Sequence, residues 1–266
     1  MLLSENDQMR LFRELGIRGV AAITAILLVG LQSYSVRAQE GQQGQDDWTF
    51  FADAYLWGAN IDIESETGSN TEIRFTDIVD DMQFGGMAVL GASHNKWFLW
   101  TDAIYLDIDD NVEDEIESGV ELDKLGVEAW VVQPKIGYEV LRTERNTVYA
   151  LAGLRYLWVE VYGKLDLGPP NPVGSQDGDV SDSSWDAVAG VRGEYVLADN
   201  WYIDYQLDGG AGDSDFTWQG IGAVAYRFKS FDAMFGYRYL DWQDTENDAL
   251  ADINMSGFMA GMRFHF

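Results

Sequence analysis

From Trp201 to Asp208 the chain alternates. Trp201, Ile203, Tyr205 and Leu207 lie on one face, and Tyr202, Asp204, Gln206 and Asp208 on the other. A period of two marks a strand held between two different environments. The pattern recurs over 231–240, where Phe231, Ala233, Phe235, Tyr237 and Tyr239 oppose Asp232, Gly236 and Arg238. It recurs at the end, where Phe258, Ala260, Met262, Phe264 and Phe266 oppose Met259, Gly261, Arg263 and His265. A soluble sandwich also alternates, but its outward face is polar and its inward face apolar and bulky. Here the polar faces are rich in glycine and charge, and the apolar faces carry aromatic residues at their ends. That suits a barrel with lipid outside, a polar interior, and aromatic side chains at the two interfaces. A soluble all-β domain is the alternative.

The rest of the chain extends the pattern to ten predicted strands: 48–63, 82–93, 97–108, 121–141, 147–165, 184–197, 201–210, 215–228, 231–242 and 253–266. Short connections (94–96, 142–146, 198–200, 229–230) alternate with a mostly longer set (64–81, 109–119, 166–183, 211–214, 243–252). Short turns on one rim and long loops on the other are the asymmetry of a bacterial outer-membrane barrel. An even count puts both ends on the short-turn side. The predicted fold is therefore an all-β, antiparallel, up-and-down transmembrane barrel of ten strands, with eight or twelve as alternative counts. The fourth and fifth strands exceed the usual 9–11 residues and should project beyond the membrane. Within the first long connection, 75–81 is expected to form a short turn or helix over the barrel mouth.

The N-terminus follows a different rule. Arg10, Arg13 and Arg18 precede an apolar run over 20–31, and Val36-Arg37-Ala38 precedes Gln39. That is the layout of a secretory signal peptide cleaved after Ala38; a signal anchor is the alternative. Residues 1–38 are thus read as signal peptide and 39–266 as the barrel domain, with 39–46 a polar lead-in. No other stretch approaches 18 uninterrupted apolar residues, which excludes a helical membrane protein. Removing the leader's four Arg and three acidic residues leaves 13 basic and 42 acidic side chains, net −29. A chain this acidic repels nucleic acid. The absence of cysteine fits a fate outside the cytoplasm without disulfides.

Three blocks carry a resemblance. They are the run from Phe75-Thr76-Asp77-Ile78-Val79-Asp80-Asp81 through Met82-Gln83-Phe84-Gly85-Gly86-Met87, then Trp97-Phe98-Leu99-Trp100-Thr101-Asp102-Ala103-Ile104-Tyr105-Leu106, then Asp208-Gly209-Gly210 with Thr217-Trp218-Gln219 and Gly236-Tyr237-Arg238-Tyr239-Leu240-Asp241. Together, over nearly the whole mature chain, they resemble a largely uncharacterised family of small Gram-negative outer-membrane β-barrel proteins within the broad OmpA-like group. The resemblance implies the fold and an outer-membrane location, but no activity. The chain departs from it at Gly210-Ala211-Gly212, where an aromatic residue is expected between the glycines.

Candidate chemistry lies on the polar faces. Lys135, Arg155, Arg192, Arg227, Arg238 and Arg263 share the interior with Asp53, Asp102, Asp186, Asp204, Asp208 and Asp232. In a narrow barrel such groups are expected to form a filled network of pairs, because a charge in a low-dielectric interior needs a partner. The same groups lining water would make a narrow channel for ions or small solutes. Strand stagger is expected to bring Arg238 to Asp204 or Asp208. The two histidines, His94 and His265, fall on the short-turn side, so a Ser-His or Asp-His site at the outer rim has no candidate base, and a surface enzyme is the least favoured reading. Asp107, Asp109, Asp110 and Glu113 are weak Ca²⁺ candidates, since Val112 stands where an EF-hand loop requires glycine. A solvated acidic loop is the plainer reading. Gly220-Ile221-Gly222-Ala223 lacks the helix that a dinucleotide fingerprint requires, and no cofactor is expected. The expected partners are outer-membrane lipids and lipopolysaccharide, divalent cations at the acidic loops, and the barrel-assembly machinery through Phe266.

The leader yields the first prediction. N-terminal sequencing of the membrane-extracted protein should begin at Gln39; an intact Met1 would refute cleavage.

Overall fold

The computed structural model describes residues 48–64, 70–73, 82–110, 114–116, 120–166, 175–243 and 252–266. The expected leader, the lead-in and the expected element at 75–81 lie outside them. Every described element is a strand. Ten long ones are β1 (Thr49–Glu64), β3 (Met82–His94), β4 (Trp97–Asp110), β6 (Val120–Arg142), β7 (Asn146–Asp166), β8 (Ser175–Ala198), β9 (Trp201–Gly212), β10 (Phe216–Arg227), β11 (Asp232–Gln243) and β12 (Asp252–His265). Two short ones, β2 (Asn70–Ile73) and β5 (Asp114–Ile116), lie against β1 and β6. The long strands pair in chain order, all antiparallel, and β12 returns to β1 from Phe51–His265 to Glu64–Asp252. Reciprocal backbone bonds between Phe50 and Phe266, at 3.2 and 2.8 Å, extend that closure. The result is a closed ten-stranded antiparallel barrel. Closure removes the sheet edge that hydrocarbon does not tolerate.

Alternation sets the two faces. Even-numbered residues of β1 point out and odd-numbered ones in, so Leu56 is 72% exposed while Tyr55 and Trp57 are buried. On the neighbouring wall Phe258 is 64% exposed and Phe235 59%. Exposed aliphatic and aromatic residues continue round the barrel, among them Leu154, Val191, Leu207 and Val224. A patch of this extent is a lipid-facing belt, not a water-facing surface. Aromatic rows bound it. Trp97 and Tyr105 on β4, Tyr138 and Trp130 on β6, and Tyr226 and Trp218 on β10 each sit eight residues apart, about 27 Å along a strand. Tilting the strands by about 40° brings the rows to about 20 Å apart, on the scale of a barrel's apolar band. Within each row the rings touch: Trp97 and Tyr138 at 4.8 Å and Trp201 and Tyr226 at 4.9 Å on one rim, Tyr105 and Trp130 at 4.5 Å and Trp218 and Tyr239 at 4.5 Å on the other.

The long-loop side is more ordered than the sequence suggested. β8 begins at Ser175, so the second half of the expected loop 166–183 is strand. Its Ser, Asp and Gly residues have poor intrinsic strand preference, but they pair one by one with β7 out to Asp166–Ser175. The expected acidic loop 109–119 likewise contains the end of β4 and all of β5. Three strands, β6, β7 and β8, run to 23, 21 and 24 residues, against two expected to overhang. On the opposite rim the turns are tight. Asn95, between β3 and β4, has φ 55°, in the left-handed region that asparagine tolerates better than most residues. At Gly210-Ala211-Gly212, Gly210 itself has a packing reason: a Cβ there would lie 1.8 Å from the Ala187 carbonyl oxygen; nothing in the structure explains alanine rather than an aromatic residue at 211.

A topology prediction follows from the unequal rims. Because the chain has no cysteine, single cysteines report cleanly. In intact cells a membrane-impermeant maleimide should label Pro170→Cys and leave Glu144→Cys unlabelled. The reverse pattern would invert the barrel.

Candidate functional site

The inward faces converge on the lumen, where the polar residues form two layers. The first lies toward the short turns. Arg263 on β12 donates from Nε and Nη2 to both oxygens of Asp53 on β1, each at 2.8 Å. Its Nη1 donates to Asp204 on β9 at 3.0 Å, and Arg192 on β8 donates to the same Asp204 oxygen at 2.9 Å. One carboxylate thus joins two guanidiniums from different walls, and the bidentate pair fixes the geometry of the other. The guanidiniums also lie over rings: Arg263 over Phe51 at 5.1 Å, and Arg192 over Phe98 and Trp100 at 5.1 Å each. Beside this layer, Asp232 accepts from Tyr202 at 2.6 Å and lies 3.1 Å from His265 Nε2.

The second layer crosses the middle of the barrel. Asp208 on β9 accepts from Arg155 on β7 at 2.5 Å, from Lys135 on β6 at 2.8 Å and from Gln206 at 2.6 Å. Lys135 and Arg155 both donate to the Gln133 side-chain oxygen, at 2.9 and 3.2 Å. Gln133 donates to Gln219 on β10 at 3.2 Å, and the same Gln219 oxygen accepts from Arg238 on β11 at 2.7 Å. Arg238 continues to the Tyr55 hydroxyl on β1 and the Asp102 carboxylate on β4, both at 2.8 Å. The Tyr55 hydroxyl then donates to the other Asp102 oxygen at 2.6 Å. An unbroken chain of side-chain bonds therefore runs from Asp208 to Asp102 through groups on seven strands. Gln133, Arg155 and Arg238 are at most 1% exposed.

The structure places the expected interior residues unevenly. Asp53, Asp102, Lys135, Arg155, Arg192, Asp204, Asp208, Arg238 and Arg263 meet in these two layers. Asp186 is buried but accepts from Ser214 and Ser184 rather than from a cation. Arg227 is half exposed at the short-turn rim, 3.7 Å from Asp232 and 4.0 Å from Glu194. The expected partner of Arg238 is corrected. Asp208 is held by Arg155 and Lys135, Asp204 by Arg192 and Arg263, and Arg238 reaches Asp102 instead. Strand stagger decides this, and composition does not reveal it. Gln133, Gln219, Gln206, Thr217 and Tyr202 were not expected in the network. Their only signal was a polar residue on the inward parity.

Above the second layer the lumen changes character, which corrects the expectation of a polar interior. Trp57 and Ile61 on β1, Ile104 and Leu106 on β4, Val131 on β6, Leu157 and Val159 on β7, Leu240 and Trp242 on β11, and Met255 on β12 form one buried apolar cluster toward the long loops. Of the weak Ca²⁺ candidates, Asp107 lies on β4 with outward parity; the side chains of Asp109 and Asp110, and all of Glu113, lie outside the described residues. No acidic or histidine cluster among the described residues is arranged to hold a metal. Gly220 and Gly222 belong to β10, not to a strand–helix turn.

Fold and lumen define the class as a ten-stranded membrane-type β-barrel with bridged charges inside. Known structures of similar architecture are outer-membrane barrels. Neisserial surface protein A is 16% identical, with 82% of this chain and 97% of that one covered and a TM-score of 0.35. Ail, the attachment invasion locus protein of Yersinia pestis, is 10% identical, with 83% and 99% covered and a TM-score of 0.34. The N-terminal barrel domain of Pseudomonas aeruginosa OprF is 12% identical, with 84% and 100% covered and a TM-score of 0.30. No family model and no curated protein matches the chain. The barrel assignment rests on the closed ladder, not on these likenesses.

Arg238→Met tests the second layer. It strands Asp102 in a low-dielectric interior, so unfolding in detergent should show a loss of about 3–5 kcal/mol, together with a lower temperature for the gel shift of the folded band. Unchanged unfolding would mean that water already solvates Asp102.

Proposed function

We propose that this chain is an outer-membrane protein of a Gram-negative bacterium with a structural or surface role, whose lumen is closed to ions by its own charge network. The observation that carries the reading is the unbroken chain of bonds from Asp208 to Asp102. A conducting lumen needs groups that bind weakly and exchange partners with water. Here each central cation instead holds a carboxylate or an amide oxygen at 2.5–3.2 Å. The apolar belt and aromatic rows support placement in a bilayer, and the unequal rims support long loops facing outward. The proposed partners are outer-membrane lipid and lipopolysaccharide on the outer face, divalent cations shared between lipid and the acidic loops, and the assembly machinery at the exposed Phe266. None of these roles requires catalysis.

Planar-bilayer recording tests the closure. The wild-type barrel should give no stepwise conductance in 1 M salt. A variant opening the central layer, Gln133→Ala with Gln219→Ala, should give steps. Regular wild-type steps whose ion selectivity shifts in Arg238→Met would replace this reading with the narrow channel.

A further inference from the structure

Above Phe235, Tyr237 and Phe258 the outward face of β11 and β12 stops being apolar. Trp218 and Tyr239 stack at 4.5 Å in the aromatic row on the long-loop side. Beyond that row the outward positions are Asp241 and Gln243 on β11, and Asn254 and Asp252 on β12. Asp241 is in register with Asn254, and Gln243 with Asp252. Four oxygen-bearing side chains thus stand at the corners of one square, two strands wide and about 7 Å tall. It sits on the headgroup side of the aromatic row, at the edge of the apolar belt.

The square is knit together but not completed. The Tyr239 hydroxyl and Asn254 Nδ2 both donate to Asp241 Oδ2, each at 3.3 Å. Asn254 Nδ2 also donates to the Tyr239 hydroxyl. Asp241 Oδ1 has no hydrogen-bond partner among the described residues, although Asp241 is only 8% exposed. An anionic oxygen removed from water with neither donor nor cation is costly. Asp252 adds a second negative charge close to Asp241, and like charges so placed repel. No lysine or arginine occupies the outward parity of β1, β10, β11 or β12. None of these strands therefore supplies the counter-charge from its outward face.

The chemistry of the corners selects the missing group. Two carboxylates and two amide carbonyls make a hard-oxygen set, only half of it charged, which separates it from an acidic cluster. Ca²⁺ accepts such mixed oxygens in loose geometry, whereas Mg²⁺ demands a strict octahedron and keeps its water. Four side chains also leave positions on the ion open toward the membrane surface. We infer that Asp241, Asp252, Asn254 and Gln243 hold a Ca²⁺ ion at the lipid-facing edge of the barrel, and that a phosphate of an outer-leaflet glycolipid completes its coordination. The inference rests on the membrane placement and lipid partnership proposed above. It deepens them by putting the cation on two paired strands instead of in the loops.

The first test is Ca²⁺ binding by the full barrel in maltoside micelles, which carry no phosphate, followed by equilibrium dialysis of radioactive Ca²⁺. Wild type should bind one more Ca²⁺ per chain than Asp241→Asn with Asp252→Asn, with a Kd of about 0.1–1 mM. Gln243→Ala should weaken that site without touching a carboxylate. Asp107→Asn, which removes an outward carboxylate on β4, should bind as wild type. All variants should keep the gel shift of the folded band in chelator. Equal Ca²⁺ stoichiometry in the double variant would overturn the site, and full displacement by an equal concentration of Mg²⁺ would overturn its assignment to Ca²⁺. Native mass spectrometry of the same micelles with diphosphoryl lipid A is the second test. Wild type should retain the lipid in Ca²⁺ and lose it in chelator, and the double variant should not retain it. Retention in chelator or in the double variant would overturn the phosphate bridge while the Ca²⁺ result stands. Cell fractionation reads the membrane placement separately, so either reading can fail alone.

Discussion

A guanidinium buried in a barrel cannot shed its proton and cannot stay unpaired. Much of this interior follows from that constraint. Arg238 sits in the wall of β11 with almost no exposure, and its nitrogens collect a carboxylate, a phenol and an amide from three other strands. Arg263 and Arg192 do the same one layer down around Asp204. Several of these bonds tie walls that are remote in sequence: Arg263 and Asp53 are 210 residues apart, and Arg238 and Tyr55 are 183 apart. The network therefore fixes how the barrel closes as well as what fills it. Buried pairs are weak evidence for net stability, but removing one partner is costly, so such a network resists partial change.

Much of the architecture was legible because the side-chain period of a strand is short and each face meets a uniform medium. Trp201 to Asp208 assigns both of its faces without help. Legibility failed where that uniformity failed. Trp57, Ala59 and Ile61 face inward yet are apolar, with Gly58 and Asn60 on the outward parity, and Leu157 and Val159 face inward beside Tyr156 and Trp158, so alternation there no longer separates a polar lumen from an apolar outside. Ser175 to Ser183 looks like loop because its residues prefer turns; β7 supplies the partner that makes it strand. The inward charges could be named, but their pairing could not. Asp102 and Arg238 meet across the lumen through the tilt and stagger of all ten strands, which no local window contains. The glutamines between them carry no signal beyond their parity.

The two halves of the lumen suggest a division of labour. The short-turn half, with charge paired to charge, supports the proposed barrier to ions. The long-loop half has an apolar lining that needs no partner. Tyr55 stands at the boundary, and its hydroxyl is part of the bridge. A change at Tyr55 touches both halves, whereas one at Trp242 or at Arg192 touches one.

The central claim is that Arg238 and Asp102 are partners in a water-poor interior. A double-mutant cycle in unfolding free energy, with Arg238→Met, Asp102→Leu and the double variant, tests it most directly. The account predicts that each single change is severe and that the double change falls short of their sum by about 2–3 kcal/mol. Additive effects would contradict it, because charges solvated by lumen water do not depend on one another.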